Sequence, residues 1–185
     1  MTDDHEIKPS DILGYWFSEG AKARWFEPDA AFDAELKQRF EPALEKAKSG
    51  ALANWSENPA GALALIVLLD QISRNLYRNT PEAFAADPLA LDIAKRAAAR
   101  GFDEGLSPDE QWILYMPFMH SECLEDQESG VVLFAALGLD DPLDYMRRHR
   151  DIIARFARFP HRNAILGRPS TPEELAFLQQ PGSHF

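Results

Sequence analysis

The sequence predicts an all-α fold, and three observations carry this prediction. Residues that cap helices stand directly before proline at six positions, where proline suits a helix start because its missing N–H is not needed there. Glycines follow alanine- or leucine-rich stretches, as they do where helices end. No segment alternates apolar and polar residues for long enough to predict a strand. The six pairs are Asn58-Pro59, Thr80-Pro81, Asp87-Pro88, Ser107-Pro108, Asp141-Pro142 and Thr171-Pro172.

These start and stop signals divide the chain into a series of predicted helices. The third is apolar on every side from Leu63 to Leu69, which is typical of a central, fully packed helix. Pro117 lies inside the fifth, so we expect that helix to kink or end there. The predicted helices span residues 10–18, 29–48, 59–78, 88–100, 108–119, 122–137, 142–158 and 172–179. Their short connections favour antiparallel helix pairs, in a tetratricopeptide-like arrangement or an irregular bundle.

Length, composition and charge indicate the class of protein. With 185 residues, of which 45% are hydrophobic, the chain is expected to form a single domain over residues 1–185. A formal net charge of -11 argues against general binding to nucleic acid or to anionic membranes. The single cysteine, Cys123, rules out an intrachain disulfide, and the polar N-terminus does not resemble a signal peptide. We therefore expect a soluble cytoplasmic protein, whose oligomeric state the sequence leaves open.

A first polar cluster lies at the end of the third predicted helix. Asp70, Arg74 and Arg78 recur every fourth residue, so we expect them to share one helix face. Cations suit the C-terminal end of a helix, and Asp70 with Arg74 would form an ion pair there. A partly buried guanidinium also offers a fork that matches carboxylate or phosphate. A structural network and a ligand site that includes Asn75 are both open.

A second polar cluster follows Phe159-Pro160 and carries His161, Arg162, Asn163 and Arg168. Like the first cluster, it places Arg-Asn before a further arginine and then Thr-Pro-Glu. Asn163 can anchor a turn through its own side chain, but a loop with four polar residues is also typical of a binding site. Histidine titrates at about pH 6.5, so His161 can act as an acid, a base or a neutral hydrogen-bonding group.

A third cluster contributes a histidine and a carboxylate, in the segment Met116-Pro117-Phe118-Met119-His120-Ser121-Glu122. His120 and Glu122 can join the arginines, with Glu122 pairing one of them or holding a histidine tautomer. Alternatively, they are a boundary residue and a helix-start charge. The spacing His-x-Glu does not put two ligands on one helix face, so no metal site is predicted. No cofactor is predicted, because the sequence lacks phosphate-loop and dinucleotide fingerprints.

Several of these motifs, taken in order along nearly the whole chain, resemble the DUF924 family of uncharacterised, mainly bacterial proteins. The resemblance implies an all-α, tetratricopeptide-like fold without an assigned activity. Ile72-Ser73 departs from the family pattern, in which Phe-Pro is expected before Arg-Asn. The motifs are Tyr15-Trp16-Phe17, Leu69 to Asn75, Ala86-Asp87-Pro88-Leu89-Ala90, Met116 to Glu122, Phe159 to Asn163 and Thr171-Pro172-Glu173-Glu174.

Three hypotheses for function follow from the clusters. The leading one is a module that binds a small anion or a peptide carboxylate in a cleft between helices. Its proposed ligand-binding residues are Asp70, Arg74, Asn75, Arg78, Arg162, Asn163 and Arg168, helped by His161. The second is a hydrolase or transferase acting on an anionic substrate, with His161 or His120 moving a proton that Glu122 or Asp70 orients. The third is an ion-pair network between helix ends, with no ligand.

Overall fold

A computed structural model describes residues 7–183, which form helices and turns without a strand. The all-α prediction is confirmed for this range. The predicted single domain over residues 1–185 extends beyond the described residues and stays a prediction. The α-helices are α1 (Pro9–Trp16), α2 (Glu19–Lys22), α3 (Ala30–Lys48), α4 (Pro59–Ile66), α5 (Ser73–Leu76), α6 (Asp87–Ala99), α7 (Pro108–His120), α8 (Leu124–Leu137), α9 (Asp140–Phe156) and α10 (Pro172–Leu178). Short 3-10 helices span Ala53–Glu57, Pro81–Phe84 and Pro160–Arg162.

The centre of the molecule is one continuous helical segment that runs from α4 through a π-helical turn, Val67–Ile72, into α5. It begins where the side chain of Asn58 accepts a hydrogen bond from the backbone N–H of Gly61. Every residue from Gly61 to Ser73 is buried. Helices α1, α3, α6 and α7 pack around it, so the predicted central helix is confirmed. Burial on all sides explains why the segment is apolar on every face.

Three helices begin at the predicted residue, and α4, at Pro59, is the first of them. Ser107 with Glu110 opens α7, and Thr171 with Glu174 opens α10, at the predicted residues. Helix α6 begins at Asp87, one residue before the predicted start, and Pro88 occupies the second position of the helix instead of the first. Of the two expectations for Pro117, a helix end there is wrong, since α7 continues to His120, one residue beyond the predicted bound, and a kink stays a prediction. Phe118 and Met119 are buried, so tertiary packing holds the last turn despite the proline.

The second half of the fold is a run of helices that pack on their chain neighbours: α6 on α7, α7 on α8 and α8 on α9. Gly130 on α8 permits the close approach of α8 to α9, because a Cβ at this position would lie 2.9 Å from the Sδ of Met146 on α9. A small separate cluster, Ile152, Ile153 and Phe159, holds the chain after α9. The tetratricopeptide-like arrangement itself stays a prediction. No helix within residues 7–183 is both long and apolar enough to cross a membrane.

Candidate functional site

The π-helical turn decides where the first polar cluster points. A π turn breaks the regular 3.6-residue spacing, and such turns are frequent at functional sites. Asp70 and Gln71 lie inside it, and Asp70 is fully buried. The prediction that Asp70, Arg74 and Arg78 share one face stays a prediction, but the three side chains have different partners. Asp70 contacts His120, whereas Arg74 binds Asp87 on α6 and Arg78 binds a carboxylate on α3.

Asp70 and His120 form a hydrogen-bonded pair at the core of the molecule. The Nδ1 of His120 lies 2.7 Å from the Oδ1 of Asp70, and the Nε2 of Gln71 donates to Oδ2 at 2.6 Å. Burial raises the pKa of Asp70, but the charge and hydrogen bond of His120, with further help from Arg74, lower it overall. Asp70 is thus ionised, and the His120 Nδ1–H donates to it. The Nε2 of His120 is left for other partners.

His120 lines a pocket of about 580 Å3 between α7 and α9. This volume lies within the range of small-molecule sites, roughly 300 to 1,000 Å3. The apolar wall consists of Trp25, Phe26, Trp112, Met116, Met119, Pro142 and Tyr145, and the polar groups are Arg78, His120, Asp141 and His149. The rings of Trp25 and Trp112 lie 6.4 Å apart. The Nε1 of Trp112 is buried and has no hydrogen-bond partner among residues 7–183.

His149 is the second imidazole of the pocket. Its Nδ1 lies 2.8 Å from the backbone oxygen of Tyr145, one helical turn earlier in α9. Burial lowers the pKa of His149 to about 3, and the charges of His120, His161 and Arg162 act in the same direction against the Tyr145 hydrogen bond. His149 is consequently neutral at physiological pH, with its Nδ1–H donated to that carbonyl.

Arg78 brings a guanidinium to the same pocket. Its Nε and Nη2 each donate to Asp33 on α3, both at 2.9 Å, and Nη1 takes no part in these bonds. Asn75 donates to the same carboxylate at 2.8 Å. Burial raises the pKa of Asp33, but the hydrogen bonds from Arg78 and Asn75 lower it overall. Asp33 therefore holds Arg78 at the pocket. Asn75 donates a hydrogen bond to Asp33 but does not line the pocket.

The two Arg-Asn clusters do meet, on the carboxylate of Asp87. The Nη2 of Arg74 donates to it at 2.8 Å, and the Nη1 of Arg162 approaches it at 3.3 Å. The Nη1 of Arg74 lies 2.7 Å from its other oxygen and donates to the Ala83 carbonyl. Both guanidiniums lie over the ring of Phe84, at 4.7 and 4.6 Å. Burial, then the charge of Arg74, lowers the pKa of Arg162 to about 10. The buried Arg162 and the partly buried Arg74 thus share one carboxylate, which joins α5 to the loop after α9.

Glu122 and Arg168 form a second closed contact in this loop. The Nη1 and Nη2 of Arg168 donate to the two carboxylate oxygens at 2.7 and 2.9 Å, while the backbone N–H of Phe159 donates to Glu122 Oε1. Burial raises the pKa of Glu122, but these two donors lower it overall. Arg168 Nε also donates to the fully buried Asn163. The ring of His161 lies against Phe159, outside the pocket lining.

The structure therefore separates the predicted site residues into three places. Arg78 and His120 line the pocket, with Asp70 directly behind His120. Asn75 supports Arg78 through Asp33. The remaining candidates hold the loop after α9 and its contact with α5: Arg74, Glu122, His161, Arg162, Asn163 and Arg168. No group of three or more metal-ligating side chains is found in the described part of the chain.

Sequence reasoning missed the carboxylates that receive the arginines and the second pocket histidine. The sequence around Asp87 predicts only a helix start, and nothing in the sequence near Asp33 indicates an arginine partner. His149 follows Tyr145 by four residues, which permits its bond to the Tyr145 carbonyl but is common in any helix. Partners that belong to different helices leave no pattern in the local sequence.

The fold and the pocket define an all-helical protein with one histidine–aspartate pair beside an aromatic cavity. The chain belongs to the DUF924 family, described as bacterial proteins of unknown function, whose model matches residues 12–182. The chain is also similar to a solved structure, the protein of unknown function ATU0120 from Agrobacterium tumefaciens. The two are 40% identical, with a TM-score of 0.88, and the match covers 92% of this chain and 96% of the other. Comparison with curated proteins gives no match.

Proposed function

We propose that this protein binds a small organic carboxylate, either a free acid or the C-terminal carboxylate of a peptide, in the pocket beside His120. One observation carries the proposal: the pocket joins an aromatic and methionine wall to a guanidinium, two imidazoles and the carboxylate of Asp141. Ligand sites commonly pair apolar walls with a few polar groups that fix orientation. The apolar body of the ligand would pack on Trp25 and Trp112, and its carboxylate would lie at Arg78.

The contact between Arg78 and Asp33 explains why the guanidinium of Arg78 suits the binding of a ligand carboxylate. Asp33 holds the Nε and Nη2 edge of Arg78, so the side chain loses little further freedom when it binds a ligand. Its Nη1 can still donate to a carboxylate. Arg74 and Arg168 are not assigned this role, because Asp87 and Glu122 already occupy their forks. The cytoplasmic location stays a prediction.

The test measures the binding of phenylacetate by calorimetry to the wild-type protein and to Arg78→Gln. We expect the variant to bind about tenfold more weakly, since a charge-assisted contact contributes roughly 1.4 kcal/mol. Arg39→Gln is the matched control, because Arg39 lies on α3 in an exposed pair with Glu35 and should leave binding unchanged. Equal affinity in Arg78→Gln, or no binding to the wild type, contradicts the proposal.

Two further probes identify the source of the carboxylate. A tripeptide that ends in phenylalanine is measured with a free C-terminus and with an amidated one. If the pocket takes peptide ends, the free form binds more tightly than phenylacetate, and amidation removes the binding. If it takes small acids, phenylacetate binds and neither tripeptide does.

A second candidate function, a hydrolase or transferase, is favoured by the contact between Asp70 and His120. Of the two histidines considered from the sequence, only His120 lines the pocket. The Asp70 carboxylate behind it can hold one tautomer and stabilise the imidazolium. Carboxylate binding and proton transfer are compatible in one pocket.

A further inference from the structure

We infer that His120 is the general base of a hydrolytic site whose substrates are small carboxylic esters with an apolar acyl group. This inference rests on the proposed function, because the carboxylate bound in the pocket would be the acid product of the reaction. The pocket would then hold the acyl group against Trp25 and Trp112 before and after hydrolysis.

The geometry of the pair supports a base at the Nε2 of His120. Nδ1 donates to Asp70, so a neutral His120 has its lone pair on Nε2. His120 lines the pocket, with a side chain that is 15% exposed. When Nε2 accepts a proton, the fully buried carboxylate lies 2.7 Å from the new imidazolium and stabilises it. This is the arrangement in which an aspartate assists a histidine base.

The position of Asp70 also favours a functional role over a structural one. A fully buried charge is costly, and apolar replacements of buried ion pairs are often neutral or stabilising. Gln71 adds a donor to the second carboxylate oxygen at 2.6 Å, and both residues come from the π-helical turn. The local distortion therefore delivers an ionised carboxylate and its support to the back of one pocket imidazole.

The nucleophile in this reaction is water, because the described pocket lining contains no serine, threonine or cysteine. The water oxygen bonds to the carbonyl carbon while Nε2 of His120 takes one of its protons. The tetrahedral intermediate collapses, the bond from the acyl carbon to the alcohol oxygen breaks, and the imidazolium returns the proton to that oxygen. The products are an alcohol and a carboxylic acid, and the acid loses its proton to solvent.

One donor at the pocket can stabilise the negative charge on the carbonyl oxygen in the intermediate. Arg78 offers Nη1, which Asp33 does not engage. Donors aimed at developing charge are an effective source of rate acceleration.

The test follows hydrolysis of p-nitrophenyl phenylacetate by the wild type and by Asp70→Asn. Asparagine keeps the shape of the side chain but does not stabilise the imidazolium, so we expect kcat to fall roughly 100-fold. KM and the affinity for phenylacetate should stay within about threefold, because Asp70 does not line the pocket and the ligand carboxylate is assigned to Arg78. A purely structural role for Asp70 would not separate kcat from KM in this way.

His120→Gln is the second variant, in case Asp70→Asn does not fold, and it should also lose roughly 100-fold in kcat. His161→Gln is the matched control, since its imidazole lies outside the pocket lining and should not affect turnover. Hydrolysis that is unchanged in Asp70→Asn and His120→Gln overturns the inference. Phenylacetate binding without ester hydrolysis overturns only the inference, whereas the absence of phenylacetate binding overturns the proposed function itself.

Discussion

Two regions of this molecule contain the same kinds of polar residue and use them differently. In the loop after α9, the Nε, Nη1 and Nη2 of Arg168 all have acceptors within the protein, on Glu122, Asn163 and Phe159. Beside the pocket, His120 uses Nδ1 on Asp70 and presents its ring to a cavity. The comparison teaches that residue type alone does not identify a site. The hydrogen-bonding capacity that a residue keeps after folding is the better indicator.

The loop network should respond most strongly when one of its carboxylates is removed. Glu122→Ala leaves Arg168 and the Phe159 N–H without their acceptor in a half-buried place, so we expect the free energy of unfolding to fall by about 3 kcal/mol. Glu173 is the matched control, since it pairs with Arg155 on the surface with 65% of its side chain exposed. Glu173→Ala should cost less than about 1 kcal/mol. Urea denaturation measures both, and equal losses would contradict a closed network.

The two regions should also lose stability in different pH ranges. The pKa of His149 is about 3 in the folded protein against an ordinary value of 6.5, so the unfolded chain binds more protons between these values. Stability therefore falls as pH drops below 6.5, by about 2 kcal/mol between pH 7 and pH 5. His149→Gln should remove this part of the pH dependence in urea denaturation. An unchanged slope would show that His149 is not held neutral.

Glu174, which binds Arg158 beside the loop after α9, contributes to stability over a different pH range. The hydrogen bond from Arg158, followed by the Thr171 backbone and Asn163, lowers its pKa to about 2 against burial. Its contribution is present above the ordinary pKa of 4.5 and is lost as pH falls towards 2. Glu174→Gln should thus leave the change between pH 7 and pH 5 as in the wild type. It should flatten only the acid limb below about pH 4.

The smallest expected effect comes from a pocket residue without a hydrogen bond to lose. Trp112→Phe should change the free energy of unfolding by less than about 0.5 kcal/mol, because the Nε1 of Trp112 has no partner among the described residues. Trp25 is the matched control, since its Nε1 donates to the Trp16 carbonyl at 3.0 Å in the core. Trp25→Phe should cost about 1 to 2 kcal/mol. Equal costs in thermal and urea unfolding would contradict this difference.

Much of the fold was predictable because its signals are local. Capping boxes at Ser107 and Thr171 fix helix starts through hydrogen bonds within four residues. The apolar run from Leu63 to Leu69 predicts burial without knowledge of what covers it. The convergence of Arg74 and Arg162 was also expected from the repeated Arg-Asn pattern, although its acceptor, Asp87, was not.

The candidate site was only partly predictable. His120, Asp70 and Arg78 were among the expected residues, but their division between a pocket and a network was not. The π turn that contains Asp70 has no local sequence signature, and Asp70 contacts a histidine that lies 50 residues further along the chain. His149 joins His120 only because α7 and α9 pack side by side.

The helical fold, the central segment and the clusters of polar residues can all be identified in the amino-acid sequence. These properties follow from caps, prolines and periodic apolar residues that act over one or two helical turns. The carboxylate that each arginine binds and the imidazole that borders a cavity are known only from the folded molecule. Those choices depend on atoms brought within 3 Å by helices that are far apart in the chain, and packing between helices sets such distances.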